Sequence, residues 1–198
     1  RLAARLVDGL ASGDELVIRA LDVRGGQGSL ATHCIHVAIF AVRIAAGMDL
    51  PRGEQVKAAL AGLVHDVGMV RLPPDFTQVE RTLTAREQEE LRRHPEEGYT
   101  ILSRLGPAYK WLADVAHQEH EREDGSGYPR GLSGDQIAEM ARIVALADIY
   151  ESVTHPRPHR KALAPFETVR EILTSDRRRF SGRVLKGLVR EGAPLTWD

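Results

Sequence analysis

The stretch LATHCIHVAIFAVRIAA at residues 30–46 constrains the fold of this chain more than any other. A helix that is apolar around nearly its whole circumference is stable only where other helices enclose it. Most of this segment is therefore expected to be buried, with Gly47 as its stop. Composition points the same way: aromatic residues make up 5% of the chain, while Ala, Leu, Arg and Glu are plentiful, which favours helices over a sheet. At 198 residues there is room for one sizeable core with a short helical lead-in. The expected fold is all-α, a helical bundle.

Apolar periodicity extends the helical reading along the chain. Leu2, Leu6 and Leu10, then Leu16, Val17 and Leu21, recur at three- and four-residue spacings, with a break at Gly13 and Asp14. Residues 1–24 read as a lead-in and residues 25–198 as the main domain, joined through the glycine-bearing loop RGGQGS at 24–29. Pro51 opens a helix that runs through Val56, Ala59, Leu60, Leu63 and Val64 to His65 and Asp66, before Gly68. Thr84 with Glu87 forms a capping-box signature for a helix through Leu91 to His94, where Pro95 either kinks it or restarts another. Another helix is expected from about residue 107 to 121. The next is capped by Ser133 or Asp135 and carries Ile143, Val144, Leu146 and Ala147. Two short helices, 165–174 and 181–190, close the chain, while HPRPHR at 155–160 is kept from regular helix by its prolines.

The charge balance, 27 basic against 28 acidic residues, gives no general electrostatic reason to bind DNA or an anionic membrane. The one cysteine, Cys34, excludes an internal disulfide and reads as a small buried hydrophobe. No apolar run is expected to be long enough to cross a bilayer, and no secretory signal pattern stands out. Hence no direct membrane insertion and a cytoplasmic location are expected. An upstream sensor or receiver domain and a homodimeric state are left open.

Against this bland background, a set of imidazoles and carboxylates stands out: His33 in the apolar helix, His65-Asp66 at a helix end, His94, His120, and Asp148 among nonpolar neighbours. A carboxylate placed like Asp148 needs a partner. Taken singly, each of these residues is more often structural than functional. Converging from separate helices, they are the ligand set expected for Zn, Mn, Fe or Ni, and no thiolate cluster competes. The set suits a binuclear site. Trp111 and Trp197 read as packing anchors and His155 as loop-exposed.

The segments THCIHVA at 32–38, LVHDVG at 63–68, LTAREQEELRRHPEEGYTIL at 83–102, HEREDGSGYPRGLSGDQI at 120–137 and ARIVALADIYESVT at 141–154 resemble the HD-GYP subgroup of the HD superfamily of metal-dependent phosphohydrolases. The resemblance covers about residues 30 to 175, and DGSGYPxGLxG is its most specific part. It implies an HD-domain bundle with additional C-terminal helices. It also implies a first metal at His33, His65, Asp66 and Asp148, and a second at Asp66, His94, residue 119 and His120, with Asp66 shared. A bridging hydroxide would be the nucleophile.

Several positions depart from the family pattern. Glu119 replaces the first of two consecutive histidines; it can ligate through a hard oxygen, leaning the pair toward Fe or Mn rather than Ni or Zn, while His117 one turn earlier is the alternative imidazole. Ser29 stands where some members have a Glu that holds a third metal, so two ions are expected. Met69 occupies the place of a lysine thought to contact phosphate, and losing such a group commonly costs about two to three orders of magnitude in rate. Arg71 or another cation could take its place. Tyr128 resembles the family's base-stacking or phosphate-facing tyrosine, and Arg157 and Arg160 match a pair that grips substrate phosphate. His159, Pro156 and Glu151 depart from the usual Tyr, Asp or Asn, and Asp, and His36 stands where Arg is common, behind the ligands.

The activity implied by the resemblance is hydrolysis of a cyclic dinucleotide, cyclic di-GMP to pGpG or GMP. A catalytically weak or inactive module that binds metal and ligand, or a protein partner in signalling, is the alternative that Met69 and Glu119 motivate. A diiron oxygenase is a third reading, and the GYP segment argues against it.

Overall fold

The computed structural model describes residues 2–12, 30–73, 81, 83–155 and 162–191. The elements in chain order are α1 (Leu2–Ser12), α2 (Leu30–Gly47), α3 (Arg52–Val64), a 3-10 turn (Val67–Arg71), α4 (Ala85–Leu91), α5 (His94–Ser103), α6 (Lys110–Gln118), α7 (Glu139–Thr154), α8 (Pro165–Ser175) and α9 (Gly182–Glu191). Among the described residues the one β-type pairing is an isolated antiparallel bridge between Asp124 and Ser133. The all-α expectation holds.

The apolar helix α2 is the axis of the bundle. It packs against α3, α7 and α9, and Val37, Ala38, Ala41 and Ala45 along it have no exposed surface. Small side chains let the neighbouring helix come close: a Cβ on Gly62 of α3 would lie 2.5 Å from the Ala38 Cα. The second buried helix, α7, contributes Ile143, Val144, Leu146 and Ala147, and α6 closes the core with Leu112, Ala113, Val115 and Ala116. α1 lies on α3, with Ala3 and Val7 packed toward Val42 and Ala59.

The expectation that no apolar run is long enough to span a bilayer fails on length. α2 has 18 residues and is apolar enough to span one by length and composition alone. In the fold most of its apolar surface is met by other helices; a core helix and a lipid-facing one share the same composition, so length and composition alone do not separate them.

Helix ends also differ from the sequence reading in instructive ways. Thr84 and Glu87 do form a reciprocal capping box, but α4 ends at Leu91 and α5 restarts at His94 with Pro95 in its first turn. Proline lacks the N–H that an unbroken helix would use there. Ser133 caps a short 3-10 turn with Gln136 rather than α7, which begins at Glu139 after Ala138. The proposed break at Gly13, the loop at 24–29, the boundary between residues 24 and 25, and Trp197 lie outside the described residues.

Candidate metal centre

Each side chain of the predicted set is delivered by a helix or a helix end. His33 and Asp148 come from the two most buried helices, α2 and α7. His65 and Asp66 follow the last turn of α3, and the chain then tightens into the 3-10 turn. Gly68 in that turn sits so close to α5 that a Cβ there would lie 1.9 Å from the His94 carbonyl oxygen. Any side chain would push the His65-Asp66 turn away from His94. Glu119 caps the C-terminus of α6 and His120 comes next. Arg122, buried, donates through Nη1 to the carbonyl oxygens of Glu119 (2.9 Å) and Glu121 (2.8 Å), which pins this turn.

Hydrogen bonds on the far side of three imidazoles aim their Nε2 atoms at one place. His33 Nδ1 donates to Glu151 Oε2 (2.8 Å), His65 Nδ1 to the Gly62 carbonyl (2.8 Å), and His94 Nδ1 to the Leu91 carbonyl (2.7 Å). A proton held at Nδ1 leaves Nε2 as the free lone pair, the tautomer a metal ligand needs. Asp66 lies between them. Its Oδ2 is 3.6 Å from both His33 Nε2 and His65 Nε2, while its Oδ1 is 3.3 Å from His94 Nε2. The two carboxylate oxygens therefore face two different groups of ligands. Asp148 Oδ1 adds to the first group, 3.3 Å from His33 Nε2, so it has the partner its apolar surroundings demanded. Glu119 Oε1 adds to the second, 3.6 Å from His94 Nε2, and His120 Nε2 is 2.9 Å from His94 Nε2.

The residues fit a metal pair by their own unsatisfied atoms. Glu119 and His65 are wholly enclosed, and among the described residues nothing hydrogen-bonds to either Glu119 carboxylate oxygen or to His65 Nε2. A buried carboxylate without a donor is strongly unfavourable unless a cation compensates it. One atom each from Asp66, His94, Glu119 and His120 falls within a sphere that an ion could occupy, and the same holds for His33, His65 and Asp66. His117, the alternative imidazole, is elsewhere: its ring packs on Tyr99 at 4.9 Å.

The electrostatics follow from this crowding. Burial disfavours a charged His33, but Asp148 and Glu151 outweigh it and lift its pKa to about 10. His65 and His94 are also raised, against burial, by Glu119 and Asp66. Burial pushes Asp66 up, yet the surrounding histidines hold it below the usual carboxylate range, and Asp148 is held low in the same way. In His120 burial prevails and the pKa falls.

The DGSGYPRG loop is clasped from beneath by Glu121, which sequence reading passed over. Its Oε1 accepts from the Arg130 amide (2.7 Å) and its Oε2 from the Leu132 amide (2.9 Å). Gly127 is there because a Cβ would lie 2.4 Å from the Glu121 Cα. The Tyr128 amide donates to the His120 carbonyl, and its ring stacks on His120 at 4.7 Å and 16°. The guanidinium of Arg92 also lies over Tyr128, 5.1 Å from its centroid. Arg92 follows the last residue of α4, and nothing in the local sequence ties it to a ring so far along the chain. Met69 and Arg71 lie in the 3-10 turn, Met69 half-buried and Arg71 exposed. Arg157, Arg160, Pro156, His159 and Ser29 lie outside the described residues.

His155 corrects the expectation of a loop-exposed side chain. It caps α7 and stacks on His36 with ring centroids 4.4 Å apart. The proline-rich string after it hid this packing. Cys34 is buried, as read from sequence, and Trp111 packs at the edge of the core.

A family model described as HD domain matches residues 16–184 of this chain. The cyclic di-GMP phosphodiesterase PA4108 of Pseudomonas aeruginosa is 34% identical over 71% of this chain and 34% of its own length. The cyclic di-GMP phosphodiesterase response regulator RpfG of Xanthomonas campestris pv. campestris is 33% identical over 89% of this chain and 47% of its own length. The chain thus spans less than half of either relative. Among solved structures, Bd1817, an HDG"Y"P protein from Bdellovibrio bacteriovorus, superimposes with a TM-score of 0.77, covering 96% of this chain and 60% of that one, at 15% identity. That likeness speaks for the fold.

Proposed function

This chain belongs to the HD domain family, in its HD-GYP group, and on that premise we propose that it is a metal-dependent phosphodiesterase whose substrate is a cyclic dinucleotide, cyclic di-GMP first among them. The observation that carries the reading is Asp66, whose two oxygens face separate ligand groups, the arrangement a carboxylate shared by two ions requires. Iron or manganese is the proposed pair, because Glu119 supplies a hard oxygen where an imidazole would otherwise stand. Bound divalent ions supply an activated water and neutralise phosphoryl charge.

The chain's own residues would then divide the remaining work. His33, His65, Asp66 and Asp148 hold one ion, and Asp66, His94, Glu119 and His120 the other. Glu151 and two backbone carbonyls keep the imidazoles in the ligating tautomer. Tyr128 forms the wall beside His120, and Arg92 brings a guanidinium to the rim, where a phosphate would meet it. Arg157 and Arg160 are proposed to grip the second phosphate of the substrate.

A second reading has one observation in its favour: Met69 offers no charge where the family places a lysine. On that reading the chain binds metal and ligand with little turnover. Purified protein loaded anaerobically with Fe(II), or with Mn(II), is incubated with cyclic di-GMP and the products are separated. Linear pGpG or GMP supports the phosphodiesterase; tight binding without turnover supports the alternative.

A further inference from the structure

Next to the proposed centre, but outside its ligand set, lies another convergence of ligating side chains. His36 is one helical turn after His33 on α2, Glu151 is on α7, and His155 caps the end of α7. One atom from each falls within 4.8 Å of the other two. Glu151 Oε1 is 3.6 Å from His36 Nδ1 and 3.6 Å from His155 Nδ1. These separations are too long for hydrogen bonds. They are close to the roughly 3.3–3.5 Å expected between two atoms that each sit about 2.0–2.2 Å from one tetrahedral ion.

The chemistry of the three residues agrees with the geometry. Two imidazoles and a carboxylate are a ligand set for zinc that keeps a fourth position open. His36 and Glu151 are buried, whereas the His155 side chain is 25% exposed. The resemblance often places Arg, a cation that cannot ligate, at position 36; this chain has an imidazole there, beside a second one at 155. The near-parallel rings, 21° apart, turn both Nδ1 atoms toward the same carboxylate oxygen.

We propose that His36, Glu151 and His155 form a further divalent-metal site of zinc type, separate from the binuclear centre. Glu151 belongs to both neighbourhoods: its Oε1 faces the new site and its Oε2 accepts from His33 Nδ1. An ion at the outer site draws on the same carboxylate that orients His33. His155 Nδ1 is 3.1 Å from the Glu151 carbonyl oxygen, and ligation through this nitrogen would replace its proton by the ion. The inference goes beyond the phosphodiesterase reading and does not depend on turnover.

The test is zinc stoichiometry. Chelator-stripped protein is loaded with Zn(II), passed through a desalting column, and its zinc measured per chain, with competition against a chromophoric chelator giving the affinities. His155→Ala and His36→Arg are each expected to bind one zinc fewer than the unaltered chain, while His94→Ala keeps the outer zinc and loses affinity at the main centre. His36→Arg restores the residue usual in the family at that position, which keeps the test decisive if His155→Ala folds poorly. Equal zinc content in the unaltered chain and His36→Arg overturns the proposal and leaves the triad as a brace for Glu151.

Discussion

Glu119 Oε2 lies 3.7 Å from His65 Nε2, both atoms fully enclosed and neither hydrogen-bonded among the described residues. Without metal, Glu119 is compensated by the imidazolium it helps to raise at His65, and divalent ions take over that role when they bind. Glu119→Gln is therefore expected to weaken both states. In excess chelator the variant should melt lower, by roughly 2–4 °C for each kcal/mol lost with the pairing. Loaded with Mn(II), it should bind at least tenfold more weakly than the unaltered chain. Thermal melts with and without metal check both halves, and a higher apo melting temperature would refute the account of Glu119.

Metal binding should expel protons. His33 has a pKa raised to about 10, so near neutral pH it carries, in the absence of metal, an imidazolium that must lose a proton to ligate; His65 and His94 are raised in the same direction. The stability from pairing His33 with Asp148 and Glu151 is fully present below its unfolded value of 6.5 and is lost as pH climbs through about 10. Metal affinity should rise over the same window. Calorimetric titration in buffers of different ionisation enthalpy reads the released protons directly, and none released at pH 7 would contradict this picture.

Met69→Lys should raise kcat/KM for the cyclic dinucleotide by about 10²–10³, the usual worth of one charge-stabilising group in such a site. If Arg92 already supplies the charge from above Tyr128, the gain should shrink and Arg92→Ala should lose activity instead. Steady-state kinetics of the two single variants and the double variant separate these outcomes.

Glu121→Ala should loosen the GYP loop without touching the ligand set. The Arg130 and Leu132 amides would each lose their acceptor, at about 1–3 kcal/mol for the Leu132 amide, the buried one. The expected result is a lower urea midpoint and a raised KM, because Tyr128 is carried on this loop. An unchanged midpoint would show that the loop holds its shape without Glu121.

Much of this was legible in the sequence for a physical reason. The apolar segment at 30–46 allows only an enclosed helix, and the capping box at Thr84 and Glu87 marks a helix start by its own chemistry. His33, His65, Asp66, His94, His120 and Asp148 stand out because polar side chains at the ends and centres of apolar helices need partners, and the fold brings them together. What escaped notice depends on pairings remote in sequence. Glu121 looked like one more charged residue until the loop folded back over it, nine and eleven positions on. Arg92, just past the end of α4, meets Tyr128 far along the chain, and the stacking of His155 on His36 joins the end of α7 to the middle of α2. Bilayer-length hydropathy in α2 was misjudged because length and composition do not distinguish enclosure by protein from enclosure by lipid.

The central claim is that the cluster around Asp66 is a metal centre that cleaves a phosphodiester. Its most direct measurement is the initial rate of cyclic di-GMP hydrolysis by chelator-stripped protein as Mn(II) or, without oxygen, Fe(II) is added back, beside Asp66→Ala. The account predicts no rate without metal, a rate that rises and saturates with added ion, and a loss of at least a thousandfold in Asp66→Ala, in line with removing a group that several catalytic elements share. Metal taken up at full stoichiometry with no linear dinucleotide formed, or equal rates in Asp66→Ala, would contradict it.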